Sequence, residues 1–171
     1  MAPMRPAFRP RTAKALTVCF AVLLLGRPFA LAQPVPAAAV TPVELTVVGG
    51  TDLNPNAQGR ASPVVVRIFE LASTATFESG DFATLSEHPD LALKHDLIAQ
   101  DEFVLRPGEI QPHNGQLGPQ VRALGVVAGF RDLEHAVWRL TVPIQRGRRN
   151  FLLIDLDRDT LRLVTVDAGP S

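Results

Sequence analysis

The stretch Ser62–Leu71 (SPVVVRIFEL) contains three consecutive valines, an isoleucine and a phenylalanine. Such β-branched and aromatic residues suit the pleated surface of a strand, and Pro63 stands at its start, where a missing N–H donor is tolerated. Its only charged residues are Arg67 and Glu70. Alternation divides the apolar side chains between two faces, with Val64, Val66 and Ile68 on one and Val65, Phe69 and Leu71 on the other. Because both faces are apolar, the stretch predicts a strand in the middle of a sheet.

Seven further segments have strand-like patterns, and turn signals separate them about every ten residues. They are Val43–Val48, Asp96–Leu105, Glu109–His113, Val121–Phe130, Ala136–Ile144, Phe151–Asp157 and Thr160–Val166. A helix is expected over Phe77–Ser86, ended by Pro89, from the helical spacing of its apolar residues. This order predicts an all-β fold, an antiparallel β-sandwich of about eight strands in two sheets with a short helical insertion after the second strand. We expect Val66 and Val127 to be core residues of facing sheets.

The N-terminal residues 1–32 have the features of a signal peptide. A basic segment ends at Lys14, the apolar stretch Ala15–Leu25 follows, and Ala30-Leu31-Ala32 provides the small residues that a signal peptidase recognises. The apolar stretch is too short to span a bilayer, although an uncleaved anchor is the alternative interpretation. We therefore expect export, a mature start at Gln33, an Ala/Pro-rich linker at residues 33–42 and a folded domain at residues 43–171.

The single cysteine and the charge balance limit the classes of function. Cys19 lies inside the apolar stretch behind Val18, where no lipidation is expected, so the mature chain has no thiol and no disulfide. Residues 1–32 hold five of the 17 basic residues and no acidic ones, which leaves 12 basic and 17 acidic groups. An acidic domain argues against nucleic acid as a partner, because phosphate contacts require clustered Lys and Arg.

Motifs for catalysis or for cofactor binding are missing from the sequence. The histidines are His88, His95, His113 and His135, and none has a metal-binding spacing. Asp155, Asp157 and Asp159 resemble the start of a calcium loop, but Thr160 and Val166 occupy the positions that require Gly and Glu. There is no GxSxG motif, and Trp138 is expected to be a core residue. We predict a protein without a cofactor or metal that is not an enzyme.

Five motifs follow one another along the chain between Leu53 and Arg139. They are Leu53–Leu71 (LNPNAQGRASPVVVRIFEL), Phe77–Leu85, Leu105–Glu109 (LRPGE), Leu124–Asp132 (LGVVAGFRD) and Ala136–Arg139 (AVWR). In this order they resemble the motifs of the TssJ family of type VI secretion lipoproteins, in which the first motif reads LNP…GRPSPVVVRIYQL. The resemblance implies a transthyretin-like β-sandwich in the periplasm that docks the periplasmic domain of TssM and, through it, associates with TssL. Family members normally carry an acylated cysteine at the mature start, so outer-membrane placement here is expected to depend on partners.

The loop Thr51–Ala61 between the first two strands is the family's main contact with TssM. It is longer than a hairpin requires, and proline restrains it, which lowers the entropy cost of binding. We predict contacts from Asp52, Leu53, Asn54, Pro55, Asn56, Gln58 and Arg60. Leu53 is expected as an exposed apolar anchor, so that replacing Leu53–Asn56 would leave the melting temperature nearly unchanged. Arg60 has an alternative structural role, in which it pairs with the neighbouring strand, and the final hairpin is the next candidate surface.

Two other classes of function use a similar sandwich. A periplasmic small-ligand or carbohydrate-binding module requires a concave apolar pocket, with Trp138 exposed on a face. A transthyretin-like hydrolase requires histidine and arginine side chains within hydrogen-bond reach of each other. The positions of these side chains distinguish both from a docking protein.

Overall fold

The computed structural model describes residues 40–168 of the 171-residue chain, with side chains as far as Val164. The predicted signal peptide, Cys19 and residues 33–39 of the predicted linker lie outside this part. Eight strands form two four-stranded sheets within it. The strands are β1 (Thr41–Gly49), β2 (Val64–Leu71), β3 (Leu97–Leu105), β4 (Ile110–Leu117), β5 (Ala123–Ala128), β6 (Arg139–Pro143), β7 (Asn150–Asp157) and β8 (Thr160–Ala168). The predicted all-β sandwich with a helical insertion after the second strand is confirmed.

The strand order places β2 inside its sheet, as its two apolar faces predict. One sheet has the order β3-β2-β5-β6 and the other the order β4-β1-β7-β8. All neighbouring strands are antiparallel except β1 and β7, which run parallel. The prediction of a wholly antiparallel sandwich is therefore wrong for this pair. A long connection separates these two strands in sequence, so no hairpin forces them into opposite directions.

Several strand boundaries differ from the sequence prediction. At the start of β1 and the end of β4, pairing with a neighbour extends the strand. β1 begins at Thr41, within the predicted linker, where Thr41 pairs with Leu117. β4 continues through Asn114 and Gly115, beyond the predicted strand end at His113, although an Asn-Gly pair favours a turn. Both residues are paired with β1, and the backbone ladder outweighs their local preference for a turn.

The insertion after β2 consists of three short helices rather than a single one. They are α1 (Ala75–Ser79), α2 (Phe82–Glu87) and α3 (Pro89–Leu93), and a 3₁₀ turn at Lys94–Asp96 follows. Extended backbone at Gly80 ends α1, and the Asp81 carboxylate then caps α2 by accepting a 2.8 Å hydrogen bond from the Thr84 N–H. Pro89 begins α3 instead of ending a helix, because the first helical position needs no N–H donor. Within residues 40–168, no helix is long and apolar enough to cross a membrane.

Buried side chains form two clusters, one between the sheets and one under the insertion. Val66 belongs to the inter-sheet core, whereas Val127 belongs to the second cluster, with Phe69, Leu71, Phe77, Leu85 and Leu93. β2 and β5 are neighbours in one sheet, so the prediction that Val66 and Val127 lie on facing sheets is wrong, although both are buried. Gly125 lets the insertion approach closely, since a Cβ there would lie 2.8 Å from the ring of Phe77.

Candidate partner-binding loop

The segment Gly50–Pro63 connects β1 to β2 and has a buried base and an exposed tip. We define the base as Leu53 and Asn54 and the tip as residues 56–60. Leu53 is 0% exposed and packs in the inter-sheet core, and Asn54 is 4% exposed. A buried base means that the loop is part of the folded scaffold.

Asn54 connects three distant segments through both its backbone and its side chain. Its N–H donates to the Arg158 carbonyl at 2.6 Å, in the turn between β7 and β8. Its Nδ2 donates to the Pro63 carbonyl at 2.8 Å, and its Oδ1 accepts from the Arg131 N–H at 2.9 Å. Its φ of 46° lies in the left-handed region, which asparagine tolerates better than most residues. These bonds hold the loop in one position relative to the strands.

The prediction of Leu53 as an exposed apolar anchor is wrong. Its side chain is enclosed between the sheets and is not available on the surface in this conformation. The expectation that replacing Leu53–Asn56 leaves stability unchanged loses its basis for the same reason. An isolated leucine among polar residues gave no periodic signal for burial, because the loop folds back over the sandwich rather than continuing a strand.

The tip is a compact turn organised by the side chain of Asn56. The Asn56 Oδ1 accepts hydrogen bonds from the N–H groups of Gln58 and Arg60, each at 3.0 Å. The Asn56 N–H donates to the Arg60 carbonyl at 2.9 Å, and Gly59 adopts a φ of 74°. Gln58 and Arg60 are exposed, whereas Pro55 and Asn56 are half-buried. The tip therefore presents polar side chains on an ordered backbone.

Arg60 has no structural ion pair with any residue in the described part of the chain. The arginines that do form ion pairs are Arg67, Arg106, Arg149, Arg158 and Arg162. Of the two roles considered for Arg60, the structural pairing is thus not observed, and its exposed guanidinium is available to a partner.

The turn between β7 and β8 lies directly beside the loop. Asp52 is 3.7 Å from the guanidinium of Arg158, and a hydrogen bond between the Asp52 and Asp157 side chains raises the pKa of Asp157. Arg162 on β8 also contacts Asp155 on β7 at 2.6 Å. The segment Asp155–Asp159, which resembles the start of a calcium loop by sequence, is therefore part of the hairpin formed by these two strands. The loop and the hairpin turn, the first and second candidate surfaces, are therefore adjacent.

Trp138, which the small-ligand alternative requires on an exposed face, packs against the helical insertion. Trp138 is half-buried, packs edge-on against Phe82 with ring centroids 5.4 Å apart, and has the Arg139 guanidinium 4.9 Å from its ring centre. Arg139 in turn donates to the carbonyls of Phe77 and Gly80, so this pair attaches the helical insertion to β6. Trp138 acts here as a packing residue rather than as an exposed platform.

Two of the four histidines, His113 and His135, contact aspartates, and they lie in separate elements. His135 bonds Asp132 at 2.9 Å, and this hydrogen bond lowers the pKa of Asp132. His113 on β4 lies 3.4 Å from Asp101 on β3. Among residues 40–168, no three His, Cys, Asp or Glu side chains are grouped to hold a metal ion.

Comparison with known proteins places this geometry in a family. Residues 41–159 match the family described as Type VI secretion lipoprotein, VasD, EvfM, TssJ, VC_A0113. The crystal structure of the T6SS lipoprotein TssJ1 from Pseudomonas aeruginosa is 35% identical, with a TM-score of 0.74, and the match covers 77% of this chain and 99% of that one. No curated protein sequence matches significantly.

Two further solved structures contain similar chains. One is described as the Type VI membrane complex, with 27% identity, a TM-score of 0.64 and coverage of 72% of this chain and 98% of the other. The second is described as the T6SS protein TssM C-terminal domain (869-1107) from EAEC, with 27% identity, a TM-score of 0.62 and coverage of 73% and 98%.

Proposed function

Because the chain belongs to the TssJ family of type VI secretion lipoproteins, we propose that it is a structural component of the type VI secretion membrane complex and that it docks the periplasmic domain of TssM. The similarity to a chain of the Type VI membrane complex supports the assignment to this assembly. The family is one of structural lipoproteins, and we propose no enzymatic activity.

The choice of TssM as the direct partner is supported by the chain lengths in the EAEC structure. The match covers 73% of this 171-residue chain and 98% of the matched chain, so the matched chain is shorter than 171 residues. The TssM segment 869-1107 is longer than that. We infer that the matched chain is a companion of TssM in that structure, which is the arrangement proposed for this protein.

We assign the contact to the exposed side chains of the loop between β1 and β2. Asp52, Gln58 and Arg60 are exposed, and Pro55 and Asn56 are half-buried beside them. Leu53 and Asn54, also predicted as contacts, are buried at the base of the loop and hold it against the sandwich. The observation that carries this assignment is the ordered tip, because a turn already held by hydrogen bonds loses little conformational entropy on binding.

The proposed location is the periplasm, at the inner face of the outer membrane. We infer that partners, rather than an acyl chain on Cys19, hold the protein there, and that TssL is reached through TssM. Mass spectrometry of the mature protein tests this part, because it is expected to find an N-terminus near Gln33 and no acyl group.

The docking proposal is tested by a double variant of the tip, Gln58→Ala with Arg60→Ala. Isothermal titration calorimetry against the periplasmic domain of TssM should show at least tenfold weaker binding, which corresponds to about 1.4 kcal/mol. The melting temperature should stay within about a degree of the wild type, because exposed side chains away from the core contribute little to stability.

A matched control is available at the other end of the sandwich. Gln145→Ala with Arg146→Ala removes the same two exposed side-chain types from the turn between β6 and β7. This control should bind TssM like the wild type. If the tip variant also binds with unchanged affinity, the loop is not the main contact, and the adjacent hairpin turn at Asp157–Thr160 becomes the surface to test.

A further inference from the structure

A cavity of about 330 Å³ opens between the edges of the two sheets. Its walls are residues 99–101 of β3 and residues 113–117 of β4, which are the edge strands of their sheets. Apolar side chains line part of it, namely Val43, Ile68, Leu117 and Leu124. The cavity lies toward the start of β1 and the end of β2, whereas the loop between these strands joins their opposite ends. It is therefore separate from the proposed TssM contact.

A half-buried carboxylate, that of Glu70, lines this cavity. Its partial burial raises the pKa of Glu70, with a smaller opposing effect from His113. Among the described residues, Glu70 has no ion pair and its side chain accepts no hydrogen bond, and the cavity lining contains no Lys or Arg. A partly desolvated carboxylate without a cation is unfavourable, so an added cation would offset that cost.

Asp101 contributes a second carboxylate to the same lining. It lies 3.4 Å from the Nδ1 of His113, whose ring stacks near that of Phe103 with centroids 6.3 Å apart. The lining thus combines two carboxylates, an imidazole and an apolar wall. A cation with an aliphatic stem fits this combination better than a small hydrated ion does, because the stem covers apolar surface.

The edge strands suggest that the cation belongs to a polypeptide. β3 is paired only with β2, and β4 only with β1, within the described sheets. Each therefore leaves one row of backbone N–H and C=O groups without a partner strand on its outer side. An extended segment of a partner can bond to such a row while it directs alternate side chains into a neighbouring pocket.

We propose that this cavity receives an arginine side chain from an extended segment of a partner protein. The planar guanidinium makes charge-assisted, bidentate bonds to carboxylates, which favours arginine over lysine at Glu70. The aliphatic part of the side chain packs against Ile68 and Leu124. This site does not depend on the docking of TssM through the loop, and it adds a second interaction surface to the molecule.

The test uses NMR of the ¹⁵N-labelled protein, purified in the form that its host cell produces. The probe is the acetylated, amidated tripeptide Gly-Arg-Gly, and the comparison peptide carries citrulline, which has the shape of arginine but no charge. Saturable shifts should appear at residues 68–70, 99–101 and 113–117 with the arginine peptide, with at least tenfold weaker binding of the citrulline peptide.

Glu70→Gln is the variant that separates this proposal from nonspecific attraction to an acidic protein. It keeps the size of the side chain and should weaken binding of the arginine peptide at least tenfold. Glu78→Gln, an exposed substitution in α1 with the same change of charge, should bind like the wild type. The proposal is overturned if the wild type shows no saturable shifts at the cavity, if citrulline binds equally well, or if Glu70→Gln retains the affinity.

Discussion

Leu53→Ala should destabilise the protein strongly, although the sequence pattern predicts that Leu53 is an exposed loop residue. The substitution removes three carbon atoms from a side chain that is fully buried in the inter-sheet core. At about 0.8 kcal/mol per buried methylene, the lost burial alone amounts to roughly 2.4 kcal/mol. The residual cavity adds to this, and Leu→Ala substitutions in cores cost about 2–5 kcal/mol in total. We therefore expect a loss of about 3 kcal/mol in the free energy of unfolding.

Urea denaturation followed by circular dichroism measures this loss directly. The midpoint should fall while the slope stays constant, since the amount of surface exposed on unfolding changes little. Gln58→Ala, five residues further along the same loop and exposed, should leave the midpoint unchanged and serves as the control. A loss below about 1 kcal/mol for Leu53→Ala would refute the assignment of Leu53 to the core and restore it as a candidate contact.

Four further substitutions test the packing and the cavity. Val66→Ala and Val127→Ala should each lower the free energy of unfolding by about 1–3 kcal/mol. The two residues lie in different buried clusters, and shifts in melting temperature below a degree for both variants would contradict their assigned burial. Gly125→Ala should destabilise the protein because its Cβ would lie 2.8 Å from the Phe77 ring, and an unchanged melting temperature would show that the insertion can move away. Glu70→Gln should raise stability at neutral pH. The raised pKa of Glu70 means that wild-type stability falls as pH rises through the folded-state value, so the advantage should vanish below the ordinary value of 4.5. Denaturation at several pH values measures the stability difference between Glu70→Gln and the wild type. A difference that persists below pH 4.5 would show that it does not arise from the raised pKa of Glu70.

Patterns within single segments determined most of the strands. The alternation in Ser62–Leu71 predicted an inner strand with two buried faces, and β2 has both. The breaks between the predicted strands after Leu105 and after Asp157 also coincide with turns in the structure, and Gly108 in the first of them has a φ of 76°. These features depend on neighbouring residues, because side-chain direction in a strand and the conformational freedom of glycine are local properties.

The family motifs in the sequence identified the loop between the first two strands, but only the folded chain separated its base from its tip. Leu53 and Gln58 are both loop residues by sequence, and one is buried while the other is exposed. The difference arises from contacts such as the bond between Asn54 and Arg131, which are 77 residues apart. Local periodicity contains no information about such a contact.

The sequence by itself determined the sandwich class, the inner position of β2 and the site of the helical insertion. The tertiary structure alone decided that β1 and β7 run parallel, that Val66 and Val127 share a sheet, and that Glu70 lies in a cavity between two sheet edges. Strand existence follows from residues that alternate along one segment, whereas strand direction, register and burial follow from which distant segments exclude water from each other.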